Sequence, residues 1–306
     1  MSAVQLHRFK TIAQYHHMVG LPKPEHPLIS VVNVADIKGS FMPGQVSLIF
    51  DFYSIAMKRA PDRKFKYGQQ TYDFFEGTLF CMAPGQVFGF EVKEGIEHKP
   101  SGWMILIHPD FLWNTPLAKT IKQYEYFSYS ANESLQLSEK EENLMTGIVQ
   151  YMEQEYHSNI DKFTDTVITA QLELLLTYTN RFYQRQFITR KIANHQIIDT
   201  VEAMLTAYFN SDVLAKQGLP TVAYIAGQLN LTPGYLSELL KTLTGQSTQQ
   251  HIHDKLIEKA KEKLSTTTLS ISQIAYQLGF EHSQSFSKLF KTKTEVSPLE
   301  FRQSFN

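Results

Sequence analysis

The stretch ISQIAYQLGFEHSQSFSKLFKTKTEVSPLEFR, residues 271–302, has a counterpart earlier in the chain, IAGQLNLTPGYLSELLK at 225–241. Ile225-Ala226-Gly227-Gln228-Leu229-Asn230-Leu231 aligns with Ile274-Ala275-Tyr276-Gln277-Leu278-Gly279-Phe280 at an offset of 49. Leu236-Ser237-Glu238-Leu239-Leu240-Lys241 aligns with Phe286-Ser287-Lys288-Leu289-Phe290-Lys291 at an offset of 50, so the second turn carries one inserted residue. A repeat of this period means that one supersecondary unit is present twice. Each copy reads as a short helix, a turn and a second short helix, the helix-turn-helix outline.

Local chemistry marks the boundaries of each copy. Thr232-Pro233 offers an N-cap followed by proline at the first helical position, where its missing N–H costs nothing. Ser247-x-x-Gln250, Ser270-x-x-Gln273 and Ser297-Pro298-Leu299-Glu300 are capping-box patterns. Gly279 suits a positive φ in the second turn, and Asn230 tolerates the same conformation in the first. Ile225 with Leu229 and Ile274 with Leu278 lie four apart and face one small core. Between the copies, Ile252, Leu256, Ala260 and Leu264 form an i, i+4 apolar line, with Lys255, Lys259 and Lys263 on another face. This predicts a helix over 248–264, ~25 Å long at ~1.5 Å per residue. Adjacent major grooves on one face of DNA lie ~34 Å apart, so such a rod can set both second helices in successive grooves.

Together, Ile271-x-x-Ile274-Ala275-x-x-Leu278-Gly279-Phe280, Gln284-Ser285-Phe286-Ser287-Lys288-Leu289-Phe290-Lys291 and Val296-Ser297-Pro298-x-x-Phe301-Arg302 resemble the signature of AraC/XylS-type transcription regulators. With the first copy, the resemblance covers about 100 residues. The first half resembles, more loosely, the cupin-like barrel and helical pair that many such regulators carry. The resemblance implies a one-component bacterial regulator, usually a homodimer and often an activator, whose partners are double-stranded DNA, RNA polymerase and, in many cases, a small-molecule effector. Matching positions places Gly234, Tyr235, Ser237, Glu238 and Lys241 of the first copy toward DNA, and Ser283, Gln284, Ser287, Lys288 and Lys291 of the second. Gln284 can pair bidentately with adenine N6 and N7, and Lys288 can reach guanine or a phosphate. Lys291, Lys293 and Arg302 are expected on the backbone. Three positions depart from the family pattern: Glu295 where glycine is frequent, Lys255 where arginine is frequent, and Glu238 where a basic residue is frequent. Glu238 either accepts from cytosine N4 or stays on the solvated surface, paired with Lys241.

The first half is patterned differently. Residues 46–57, 71–75, 78–82, 87–92 and 103–108 read as strands, with Pro43-Gly44, Asp62-Arg63, Glu76-Gly77, Pro84-Gly85 and Glu94-Gly95 as turn signals. Spacing of about ten residues predicts a small barrel or sandwich. Phe50, Phe52, Phe80, Phe88, Phe90 and Trp103 either line a ligand cavity or simply pack. Helices are expected over 138–156, from the capping box Ser138-x-x-Glu141, and over 161–184, whose broad apolar stripe serves intramolecular packing, a helical dimer, or both. The predicted architecture is α+β. A cupin-like small β-barrel with a helical pair, residues 1–190, serves sensing and dimerisation, and an all-α tandem helix-turn-helix domain, 191–306, binds DNA. A stretch with Arg185, Arg190 and Lys191 joins them.

Composition narrows the alternatives. Hydrophobic residues make up 42% of the chain and charged residues 19%, which excludes a disordered polyelectrolyte. From Arg190 onward there are 12 Lys/Arg against 10 Asp/Glu, a net charge of +2 that has the right sign for nucleic acid but is small. Single Cys81 excludes a disulfide framework and a Cys-rich zinc module. The start of the chain lacks the apolar run of a signal peptide, and no segment approaches the ~20 apolar residues of a membrane helix, so a cytoplasmic protein without membrane contact is expected. A metal-dependent cupin enzyme needs several His and a carboxylate converging at one end of the barrel. The barrel region offers only His98 and His108, in separate segments. His251-x-His253 lies in a helix, where i and i+2 diverge, and His16-His17 are adjacent. No enzyme activity, metal or cofactor is expected. Control by a protein partner, or constitutive action, stands beside effector sensing as an alternative.

Overall fold

The computed structural model describes residues 5–38, 41–42, 44–67, 70–92, 101–130, 133–158, 161–189, 191–211 and 213–304, and the chain divides into two compact units, 1–186 and 187–306. The first unit contains strands β1 (Gln5–Phe9), β2 (Ile29–Asn33), β3 (Gly44–Phe50), β4 (Tyr53–Tyr67), β5 (Gln70–Met82), β6 (Val87–Val92), β7 (Ser101–Ile107) and β8 (Leu135–Gln136). Helices α1 (Ile12–Met18), α2 (Leu117–Thr120), α3 (Glu139–Tyr156) and α4 (Thr164–Thr189) accompany them, the last residues of α4, from Phe187, belonging to the second unit. One sheet has the order β1-β3-β6 and the other β2-β7-β4-β5-β8. Among the described strands only β1 with β3 is parallel.

The barrel expectation is corrected here: among the described residues the strands make two open sheets facing one core, not one closed sheet. Alternation along β3 turns Val46, Leu48 and Phe50 inward. They meet Phe9, Phe88 and Phe90 of their own sheet and Val32, Ala56, Met82, Met104 and Leu106 of the other. The strand predicted over 46–57 is divided, because the chain changes sheets at Asp51-Phe52. Asp51 donates its N–H to the Phe9 carbonyl (2.9 Å), and its carboxylate holds Arg8 at 3.0 Å. Phe52 is fully buried and stacks on Phe50 with centroids 5.0 Å apart, so both rings stay in the core across the change.

Two turn signals also behave differently. The strands predicted at 71–75 and 78–82 are one strand, β5, and the chain does not reverse at Asp62-Arg63 or Glu76-Gly77. Instead the β4–β5 register shifts between Lys58 and Ala60 and again between Ala60 and Lys64. These residues therefore mark bulges within a ladder rather than its ends. Pro84-Gly85 does turn, with Gly85 at φ +85°. Pro43, Glu94-Gly95 and His98 lie outside the described residues.

The helical pair forms as expected, with α4 longer than predicted. Asp161 caps it by accepting from the N–H groups of Phe163 and Thr164. Glu141 completes the Ser138 capping box and also receives Arg185 of α4 at 2.6 Å, and Arg59 of β4 reaches buried Glu142 at 2.8 Å. Arg185, read as the start of a basic linker, thus fastens α4 to α3. The Trp103 indole donates to the Thr146 hydroxyl of α3 at 3.2 Å.

The second unit is helical: α5 (Lys191–Phe209), α6 (Val213–Gln217), α7 (Val222–Gln228), α8 (Pro233–Thr244), α9 (Thr248–Thr266), α10 (Ile271–Gln277), α11 (Ser283–Thr294) and α12 (Pro298–Gln303). Ile252, Leu256, Ala260 and Leu264 of α9 are at most 2% exposed, and α9 packs against α5, α8, α10 and α12. No helix among the described residues is long and apolar enough to cross a membrane.

Candidate nucleic-acid interface

Two helix pairs, α7–α8 and α10–α11, repeat the same backbone chemistry. In the first turn Asn230 N–H bonds the Gly227 carbonyl (3.2 Å) and Leu231 N–H that of Ala226 (2.9 Å). In the second, Gly279 bonds Tyr276 (3.0 Å) and Phe280 bonds Ala275 (3.0 Å). Asn230 and Gly279 both take positive φ, +55° and +80°. Glycine is required at 279 for a second reason: a Cβ there would lie 2.8 Å from the Gly218 Cα and 2.9 Å from the Leu214 carbonyl oxygen. The boxes at Ser247/Gln250, Ser270/Gln273 and Ser297/Glu300 are all formed. Two hydrogen bonds from Ser297, backbone and hydroxyl, hold the Glu300 carboxyl below its usual range.

Helices α8 and α11 are both 12 residues long, and the positions predicted to face DNA fall into register at an offset of fifty. Gly234, Ser237, Glu238 and Lys241 stand where Gln284, Ser287, Lys288 and Lys291 stand on α11. Spacings of three and four keep each set on one helix face. Lys241, Gln284, Lys288 and Lys291 are exposed, whereas Gly234, Ser237, Glu238, Ser283 and Ser287 are half-buried. The Ser237 hydroxyl lies 3.2 Å from that of buried Thr248, and Ser287 donates to the Ser283 carbonyl at 3.0 Å. Both hydroxyls are thus engaged in holding helices.

Tyr235 is a correction. It is 5% exposed and meets the Phe187 ring edge-on at 5.1 Å, so it belongs to the core and offers no face to DNA. Its counterpart Ser285 is exposed. Lys293 and Arg302 also serve the protein: Lys293 pairs with Asp254 at 2.9 Å, and Arg302 Nε donates to the Leu264 carbonyl at the end of α9. Lys255 and Lys259 pair with Glu258 and Glu262, and Lys263 donates to Gln277 of α10.

One residue escaped the sequence reading. Asp254 accepts from the Gln246 amide at the exit of the first copy (2.9 Å) and, through its other oxygen, from Lys293 of α11. A single carboxylate on α9 therefore touches both copies. No local pattern points to it, because its partners lie 8 and 39 residues away. Beside it, burial and then the Lys293 charge push the His253 pKa down, partly opposed by Asp254.

Nothing resembling a metal-enzyme centre joins these features: among the described residues no three His, Cys, Asp or Glu side chains converge. His108 caps a 3-10 turn at Asp110, His251 meets Thr244, and burial pushes the Cys81 thiol pKa up.

A family model described as a helix-turn-helix domain matches residues 225–304, both pairs and α9. The raffinose operon transcriptional regulatory protein RafR of Pediococcus pentosaceus is 37% identical over 84 residues, 28% of this chain and 30% of that protein. The arabinose operon regulatory protein of Escherichia coli is 37% identical over 92 residues, 30% of this chain and 31% of its own. The C-terminal region is an AraC-type helix-turn-helix domain. A further relative, the HTH-type transcriptional activator RhaS of Klebsiella pneumoniae, is 26% identical over 141 residues, 46% of this chain and 48% of that protein. The matches thus span less than half the length of these curated relatives, all of them named as regulators or activators. The model match begins after α5 and α6, yet these helices support the AraC-type domain. Tyr208 donates to the Gly218 carbonyl at 2.9 Å, fixing the surface on which Gly279 rests.

Proposed function

We propose that the protein is a sequence-specific DNA-binding transcription regulator whose α8 and α11 read adjacent major grooves. The observation that carries this reading is the pair of matched helix faces, half-buried or exposed at Ser237/Ser287, Glu238/Lys288 and Lys241/Lys291, on two helix-turn-helix copies joined by α9. Its 19 residues span ~28 Å, close to the ~34 Å groove repeat. Gln284 and Lys288 read bases, Lys241 and Lys291 hold phosphates, and Glu238 accepts from a cytosine N4. The output is activation through RNA polymerase, in keeping with the activator name of one relative. The first unit senses a small effector and pairs two copies of the chain. Phe163, Val167 and Leu174, 58%, 37% and 47% exposed at spacings of four and seven, supply an apolar stripe for that pairing. The sugar operons named for the relatives do not transfer, because the 37% matches cover the reading domain only. Selection from random duplex DNA followed by competition binding tests the reading. A preferred sequence bound at least about a thousandfold above non-specific DNA is expected. Equal binding to all sequences would refute it.

A further inference from the structure

The core between the two sheets is filled by packed rings: Phe50 on Phe52, Phe80 on Phe88 at 5.3 Å, and Phe88 on Phe90 at 5.8 Å. An open cleft lies elsewhere in the first unit. It has a volume of about 290 Å³, bounded by residues 20–25, β2, the segment to Lys38 and the last turn of α3.

Hydrogen bonds hold its walls. His16, 6% exposed, has Nδ1 2.6 Å from the Pro22 carbonyl and Nε2 3.0 Å from the Ser30 hydroxyl. A carbonyl only accepts, so Nδ1 carries the hydrogen, and in the neutral ring Ser30 donates to Nε2. On the other side, Glu25 is pinned to α3. Its N–H donates to the Tyr156 hydroxyl at 2.7 Å, and its carboxylate accepts from His157 at 2.7 Å.

Four further charged side chains border the cleft, Lys23, Lys38, Asp36 and Glu153, and none has a side-chain partner among the described residues. Two cations and two anions around one cavity, not neutralising one another, complement a ligand that carries both signs. An ammonium group can take Asp36 or Glu153, and a carboxylate Lys23 or Lys38, as charge-assisted hydrogen bonds. A neutral sugar would leave those charges unmatched, and a ligand of one sign would face a repelling pair. Leu21 and Val31 offer apolar contact for a side chain. The volume falls just below the usual range for small-molecule sites, roughly 300–1,000 Å³, as suits a ligand of amino-acid size.

We propose that this cleft binds a small zwitterion of the α-amino-acid class and is the effector site of the first unit. The inference rests on the effector reading above and moves the site out of the packed core. The full chain is screened by thermal shift against the twenty common L-amino acids and, in parallel, a set of mono- and disaccharides. Lys38→Gln and Glu153→Gln are carried alongside, with circular dichroism to verify their fold. At least one amino acid raises Tm, its affinity falls about tenfold or more in each variant, and its N-acetyl and amide derivatives do not bind. An unchanged shift in both variants would overturn the placement. A response to sugars alone would overturn the ligand class and leave the effector reading standing. Silence from both sets would overturn this inference and the effector reading together.

Discussion

In the proposed reading, base recognition turns on Gln284, which is exposed on α11 and whose amide presents a donor and an acceptor together. Gln284→Ala is expected to cost about 1–3 kcal/mol of binding and to relax preference at one position. Lys291→Ala should weaken all sequences alike and reduce the salt slope by about one, which titrations at several salt concentrations resolve. Glu295 offers a test of backbone strain. It ends α11 at φ +66°, where the first copy ends α8 with Gly245 at φ +77°. A side chain there is strained, so Glu295→Gly should gain about 0.5–1 kcal/mol in urea melts even after glycine's entropy cost. Gly279→Val should unfold the second copy, since the new side chain meets backbone as well as an unfavourable φ. The glutamate-for-glycine exchange was legible in sequence because the motif exposed it. The burial of Tyr235 was not, because its partner Phe187 lies outside the repeat and leaves no local trace.

Helix α9 was legible as a rod from its four apolar positions, and its capping box set its start. Its role as a joint was not legible, since the Gln246–Asp254–Lys293 contact is created by tertiary folding. Ion pairs this exposed contribute about 0–1 kcal/mol, so Asp254→Ala should change stability little. It is expected to weaken a full two-groove site more than an isolated half-site, as competition between the two DNAs would reveal. Equal losses would mean that Asp254 does not align the copies. His253 adds a pH dependence. Its folded pKa lies below the unfolded value of 6.5, so the unfolded chain binds more protons in the window between them. Stability therefore falls as pH drops below about 6.5, and His253→Gln should flatten that limb in denaturant melts. Among the strands, alternation located β3 and β6 and a continuous apolar run located β7, while the bulges of β4–β5 imitated turns. Both features favour glycine and polar residues, and only pairing separates them.

At the scale of the whole chain, the mixed α+β architecture follows from the change of period near residue 138. Closure of the sheet did not follow, because alternation reports which face is buried and says nothing of whether edge strands meet. The helical unit was far more legible, since repetition let each copy verify the other. Pairing of two chains through the α4 stripe predicts that Leu174→Glu shifts the species seen by sedimentation equilibrium toward monomer, with the fold retained. The central claim is that one chain reads two grooves at once, and methylation interference at guanine N7 on a selected site tests it most directly. Two clusters of interference about 10–10.5 base pairs apart per protomer are predicted. A single cluster per protomer would contradict the account.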